Sequence, residues 1–312
     1  MDFLKINALT QRGEPFLFIS DFKGVKIELI PLKELHLHDI EYSMSESPIK
    51  NSLISDLTKH PLSFRKYQQK FNKVLEKIAS GETYLLNLTQ ATKIETELTL
   101  KEIYDNSGAK YKLRYKNKFV CFSPEQFIEI KNNTINTYPM KGTIDASLED
   151  AKEKILTDDK ETAEHIMVVD LLRNDLSIVA KDVKVNKFRY VTKIEAGSKN
   201  LLQVSSHISG KLEENWHLRL GNILNAILPA GSISGTPKQS TLKIIDEVEE
   251  YERGFYSGVF GIYDGENFNS AVMIRFVEKV DKGYIYKSGG GITCQSRVKD
   301  EYYELLDKIY LS

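Results

Sequence analysis

Strand-like apolar runs dominate the first half of the chain and reappear near its end. The runs at Phe16–Ser20 and residues 25–30 flank a short Asp- and Gly-containing turn, which predicts a β-hairpin. A second hairpin is predicted around Asn132 and Asn133, and a third around Asp264 and Gly265, joining residues 258–263 to residues 268–277. Elsewhere the apolar spacing changes to three and four, which predicts helices over residues 63–80, 148–179, 216–228, 239–250 and 297–310. Hairpins interleaved with helices argue for an α+β fold with largely antiparallel sheets, not a doubly wound one. Residues 43–60 are polar and weakly periodic. Residues 1–60 are therefore read as N-terminal strands plus a connector, part of the same globule as the body at 61–312.

Composition narrows the function more than the fold. The 312 residues are 41% hydrophobic with a formal net charge of −1, enough to bury one large core or two fused lobes. No basic run supports binding to nucleic acid or a membrane surface. No apolar stretch approaches 18 residues, and no signal-peptide pattern follows Met1, so a cytoplasmic protein is expected. The two cysteines, Cys121 and Cys294, are expected to be reduced, buried thiols without metal-site spacing.

Three segments carry candidate chemistry. Residues 229–238 (PAGSISGTPK) place Gly231, Ser232 and Gly235 ahead of a proline, a lysine and a helix. Such a turn lets backbone approach a ligand, and N–H groups at the helix start favour an anion. A phosphate-binding P-loop fails on spacing, because a glycine would be needed at position 236, which is Thr236. A carboxylate ligand remains open. Residues 159–175 read as a helix on which Ile166, Val169, Leu172 and Leu176 mark the apolar stripe and Glu161 and Glu164 share a face. A capping box with Asp158 accounts for Glu161 but not for Glu164. The closing helix, after Gly289, Gly290 and Gly291, puts Glu301, Glu304 and Lys308 on one stripe. Glu304 and Lys308 read either as a surface ion pair, worth about 0.3–0.5 kcal/mol, or with Glu301 as half of a clamp for a hard divalent cation.

These segments, together with YLLNLT at 84–89, SPEQF at 123–127, PMKGT at 139–143, RGFYSG at 253–258 and the Ile274–Arg275 pair, occur in an order that resembles the chorismate-utilising family. The family comprises anthranilate synthase component I, aminodeoxychorismate synthase component I, isochorismate synthases and salicylate synthases, and the likeness runs over about residues 62–311. It implies two facing sheets with helices outside and the site between them. It also implies Mg2+, with Glu164 and Glu304 as ligands and Glu161 and Glu301 completing an acidic ring. Glu125 then corresponds to the general acid that protonates the C4 hydroxyl of chorismate. Tyr256 and Arg275 correspond to groups that hold the enolpyruvyl carboxylate. Lys308 and the amides of Gly289, Gly290 and Gly291 surround the ring carboxylate, and Gly231 and Ser232 lie close to substrate. Lys238 reads equally well as a structural residue at a helix start.

Within the family, Lys141 points to one branch. Anthranilate and isochorismate synthases usually carry alanine at this place, whereas a lysine resembles aminodeoxychorismate synthase component I, where it attacks C2 as the C4 hydroxyl leaves and ammonia then adds at C4. The attack needs a neutral amine, so burial or a cationic neighbour is expected to lower the Lys141 pKa. Leu85 stands where water-using relatives have a base lysine, and Gln203 where anthranilate synthases have a histidine. The resemblance therefore implies a transferase serving p-aminobenzoate and folate synthesis. Neither cysteine lies in a Gly-x-Cys-x-Gly turn, so ammonia is free or delivered by a glutaminase subunit. Anthranilate synthase component I is the alternative, and a non-catalytic chorismate- or metal-binding module is the third reading.

Overall fold

The computed structural model describes residues 2–45, 56–196 and 199–311; part of the expected connector, residues 46–55, lies outside the described residues. Two antiparallel sheets face each other. Among the described residues, one contains nine strands and the other eight, and every registered strand pair is antiparallel. The hairpin expected at Asn132 and Asn133 joins Gln126–Lys131 to Thr134–Thr137, with both asparagines in the left-handed region that such a tight turn requires.

The predicted strand at 268–277 is in fact two. Phe268–Val272 belongs to the first sheet and Phe276–Val280 to the second, and Arg275 between them has φ 51°. Val272 and Met273 before the crossing and Phe276 and Val277 after it are all buried, so apolar character alone does not mark where the chain changes sheets. A second crossing runs the other way: Phe119–Ser123 lies in the second sheet and Gln126–Lys131 in the first, with Glu125 at the passage. The two passages are bonded to each other. Val272 N–H donates to the Glu125 carbonyl (3.1 Å), and Phe122 N–H donates to the Arg275 carbonyl (3.2 Å).

The N-terminal part differs from a purely stranded segment. It opens with a helix, Asp2–Gln11, before Phe16–Ser20 enters the first sheet between Ile27–Pro31 and Val259–Tyr263. Phe16 and Phe18 pack into one core cluster, while Leu17 and Ile19 on the opposite face pack into another. The helix predicted over 148–179 is broken at Asp158 into Ala151–Thr157 and Asp159–Ser177. The break follows from capping: the Asp158 side chain accepts a bond from Glu161 N–H at 2.8 Å, which starts a new helix there. The remaining helices are Phe64–Ala79, Leu100–Asn106, Leu220–Ile227, Lys238–Glu249 and Val298–Asp307. Leu100–Asn106 went unread, although its capping box of Thr99 and Glu102 is present in the sequence.

Candidate active site

Helix Asp159–Ser177 buries Val169, Leu172 and Leu176 of the expected stripe but leaves Ile166 half exposed; Glu164, Val168, Leu171 and Asp175 form one inward ridge, and His165, Val169, Leu172 and Leu176 form the ridge beside it. Carboxylates therefore sit at both ends of a buried ridge. Glu164, 2% exposed, receives the Lys141 ammonium at 2.6 Å. His165, on the next ridge, is within 2.7 Å of the Ser206 hydroxyl, and burial pushes its pKa down to about 4, so it is neutral.

Lys141 reaches Glu164 because its strand, Met140–Asp145, is irregular where it matters. The register with Lys199–Lys211 shifts between Met140 and Thr143, and Gly142 has φ 88°. Such a bulge re-aims a side chain out of the regular alternation. Burial alone would lower the Lys141 pKa, but the carboxylates of Glu164, Glu304 and Glu161 outweigh it and raise the pKa. The expectation of a lowered pKa is thus overturned: the neighbours that dominate are anionic, and they favour the ammonium form of Lys141.

The closing helix Val298–Asp307 brings its glutamates to the same place. Lys160 bridges the two helices, 3.3 Å from Glu301 Oε1 and 3.9 Å from Glu164 Oε1. Glu301 also accepts from the Ser296 hydroxyl at 2.8 Å. Lys308 pairs with Glu304 at 2.7 Å, as a simple i,i+4 reading predicts, and in addition donates to the Gly289 carbonyl at 2.9 Å. A Cβ on Gly290 would stand 3.3 Å from Glu301 Oε2, 3.7 Å from Lys308 Nζ and 3.9 Å from Glu304 Oε1. One on Gly291 would stand 3.2 Å from Leu85 Cδ1 and 3.9 Å from Lys141 Nζ. The triple glycine leaves the floor between the acidic residues and Lys141 free of side chains.

Burial raises the pKa of Glu161 and of Glu301, with like-charged glutamates adding to the rise. Glu161 Oε2 is buried with no hydrogen-bond partner. Among the described residues, no three acidic, histidine or cysteine side chains converge as a ready-made cation cage. An oxygen-only donor set with an orphaned carboxylate oxygen fits a hard cation held by one or two direct carboxylates and completed by water or substrate, which is how Mg2+ is usually bound.

Glu125 lies at the passage between sheets and accepts a short hydrogen bond from the Ser232 hydroxyl. Burial raises its pKa; Ser232 and the cationic groups of Arg275, Lys141 and Lys308 oppose the rise without cancelling it. Arg275 donates to the Tyr310 hydroxyl at 3.2 Å. Tyr256 is 3% exposed, and burial pushes its phenol up to about 12. A Cβ on Gly231, the residue before Ser232, would meet Leu171 and Asp175. Lys238 turns back to Asp175 at 2.8 Å. Of the two expected buried thiols, Cys121 is buried and Cys294 is exposed; both are free.

Sequence reasoning missed the Asp175–Lys238 pair, the Lys160 bridge and the buried pair of Arg253 with Glu249 (2.6 Å). The signal for Asp175 was available, since it stands on the ridge that begins at Glu164.

Comparison with known proteins bears on this geometry. A family model described as chorismate binding enzyme matches residues 28–311. The Haemophilus influenzae "uncharacterized PabA-like protein" is 48% identical over 311 residues, 98% of this chain and 94% of that protein. Aminodeoxychorismate synthase component 1 of Escherichia coli is 31% identical over 282 residues, 86% of this chain and 61% of that protein. Anthranilate synthase component 1 of Archaeoglobus fulgidus is also 31% identical, over 255 residues, 78% of this chain and 61% of that protein. The chain thus spans about three fifths of each of these two synthases. In fold it is similar to anthranilate synthase component I of Streptococcus pneumoniae, with a TM-score of 0.70, 22% identity and coverage of 95% of this chain and 79% of that one. The menaquinone-specific isochorismate synthase MenF of E. coli gives a TM-score of 0.72 at 15% identity, covering 97% of this chain and 79% of that one. Facing antiparallel sheets, an acidic helix pair and a sequence match over most of its length agree: the chain belongs to the chorismate-binding enzyme family and is of the anthranilate/aminodeoxychorismate synthase component I type.

Proposed function

We propose that the chain is the chorismate-aminating component of an aminodeoxychorismate synthase, replacing the C4 hydroxyl of chorismate by an amino group. The observation that carries this reading is the placement of Lys141: its amine and the carboxyl of Glu125 belong to one charged group with Arg275 and Lys308, and Gly291 leaves the space before the amine open. Overall identity is the same, 31%, to an anthranilate synthase and to an aminodeoxychorismate synthase, so the lysine supports the choice where identity does not.

In this reading Glu125 gives its proton to the C4 hydroxyl, which leaves as water. Lys141 Nζ forms a bond to C2 as both ring double bonds shift, C1=C2 to C1=C6 and C5=C6 to C4=C5. Ammonia then adds at C4 and passes its surplus proton to the Glu125 carboxylate, both double bonds return, and the lysine is expelled as an amine. Nζ must lose a proton before it attacks; in the structure its ammonium is paired with Glu164 Oε2 at 2.6 Å. Arg275 and Tyr256 would hold the enolpyruvyl carboxylate, arginine being suited to bidentate contact. Lys308 and the backbone of Gly289, Gly290 and Gly291 would meet the ring carboxylate. Glu164 and Glu304, supported by Glu161 and Glu301, would hold Mg2+, whose charge offsets repulsion between these glutamates and a dianionic substrate. Ammonia would come from a glutaminase subunit, consistent with the PabA-like name of the Haemophilus relative.

The test is product identity. The purified chain with chorismate, Mg2+ and ammonium is expected to yield a 4-amino product, separated from anthranilate by mass spectrometry. Without ammonia, intact mass should show a chorismate-derived adduct that disappears in Lys141→Ala. An unchanged 4-amino product and rate in Lys141→Ala, or anthranilate and pyruvate from the wild type, would overturn the assignment.

A further inference from the structure

We infer that Asp175 and Lys238 are positioning residues that act on Glu125 through the turn Gly231–Ile233, fixing the Ser232 hydroxyl against the carboxyl; this rests on Glu125 being the acid that acts on chorismate. Ser232 is the second residue of a single 3-10 turn, and its hydroxyl donates to Glu125. The turn closes with Ile233 N–H on the Ala230 carbonyl at 3.4 Å and Ser234 N–H on the Gly231 carbonyl at 3.2 Å, and Arg253 takes the Ile233 carbonyl at 2.8 Å. Its first residue is met from the other side. The Asp175 carboxylate, 5% exposed, presses on the turn from the helix side, so close that a Cβ on Gly231 would stand 2.7 Å from Oδ2. The Gly231 N–H is directed at this carboxylate and favours its charged form against burial.

The other carboxylate oxygen, Oδ1, takes the Lys238 ammonium at 2.8 Å, and the same ammonium donates to the Ile227 carbonyl at 2.9 Å. Ile227 ends helix Leu220–Ile227, just before the loop, and Lys238 begins helix Lys238–Glu249, just after it. One ion pair therefore ties both ends of the segment 228–237 to the helix that also carries Glu164. Asp175 lies eleven residues, roughly 16 Å of helix rise, beyond Glu164 on the same ridge. The helix thus sets the acidic pocket at one end and the setting of the acid at the other. The charged groups facing Glu125 itself are Arg275, Lys141 and Lys308; Asp175 faces Lys238. Neither Asp175 nor Lys238 touches Glu125, so any effect on it passes through the turn.

Chorismate consumption by the purified chain, with Mg2+ and a fixed concentration of free ammonia, provides the test, because it is independent of which product forms. Asp175→Asn and Lys238→Met are each expected to lower kcat about ten- to hundredfold, a loss of the kind that follows misplacement of a catalytic group, with KM changed less than about threefold. A double-mutant cycle decides the route. If the pair acts through Ser232, Asp175→Asn in a Ser232→Ala background costs less than about a further twofold. Multiplying losses, or a wild-type kcat in Asp175→Asn, would overturn the inference. Should Asp175→Asn fail to fold by circular dichroism, the Lys238→Met and Ser232→Ala cycle carries the same decision. Glu125→Gln separates the two layers: wild-type turnover there removes the acid assignment and the inference with it. An inactive Glu125→Gln beside a fully active Asp175→Asn removes the inference alone.

Discussion

Glu125 is held between opposing influences, and the sign of its response to pH follows from which one wins. Burial is the largest and favours the neutral carboxyl; the Ser232 hydroxyl and three cations favour the anion but leave the pKa above the ordinary glutamate value. An acid with a raised pKa keeps its proton further up the pH scale. Activity that needs this proton is therefore full below the raised pKa and lost as pH climbs through it. At fixed free ammonia, kcat for chorismate consumption should show an alkaline limb from this group, lying above the usual carboxylate range. Glu125→Gln should abolish the limb and reduce kcat about 10²–10⁴-fold; an identical profile in the variant would dismiss Glu125 as the acid. Glu125, Lys141 and the four glutamates were legible in the sequence because each sits in a short motif with a recognisable order. Asp175 with Lys238, and Arg253 with Glu249 and the carbonyls of Ile233 and Asn87, were harder to read. Their roles come from which distant backbone they meet, and that depends on the folded turn.

Elements were legible to the extent that one periodicity ruled one environment. Phe16–Ser20 and Phe64–Ala79 were read closely, because a short unbroken apolar run in the first and a single apolar face in the second mark their limits. The crossing at Arg275 was not read, since apolar residues continue on both sides of it while the buried surroundings change identity. The long helix was overextended because Asp158, a good N-cap, also occurs within charged helix surfaces. Strand Gly283–Ile292 supplies a prediction at this scale. Its glycines are surrounded at Gly290 by the ends of flexible side chains, not by backbone. Gly290→Ala should therefore fold with nearly the wild-type melting temperature and place a methyl group beside Glu301, Glu304 and Lys308. Titration calorimetry should show Mg2+ or chorismate binding about tenfold weaker, about 1.4 kcal/mol. Wild-type affinity for both would mean that the floor at Gly290 is not part of the site.

At the scale of the molecule, the two core clusters share the strand Phe16–Ser20. Phe16 and Phe18 enter one and Leu17 and Ile19 the other, and all four are fully buried. At about 1.5–3 kcal/mol for each large apolar side chain, this strand alone contributes on the order of 6–12 kcal/mol, comparable with the whole net stability of a typical domain. A chain beginning at residue 61 is expected to lack a cooperative unfolding transition in urea; a cooperative transition there would show that residues 1–60 are a dispensable addition. The sequence indicated strands here, and their central place emerges only from the pairing with Val259–Tyr263, far along the chain.

The paired passages at Glu125 and Arg275 also govern how a substrate is admitted. Because Val272 N–H and Phe122 N–H bind each passage to the other, the sheets cannot slide or part at that end without breaking both bonds at once. Opening of the pocket is then expected at the helices Asp159–Ser177 and Val298–Asp307, joined to each other by the ammonium of Lys160. In native-state hydrogen exchange, the amides of Phe122 and Val272 should open only with global unfolding, while the first turns of these two helices open at lower free energy. Early exchange at Phe122 and Val272 would mean instead that the sandwich itself is the door.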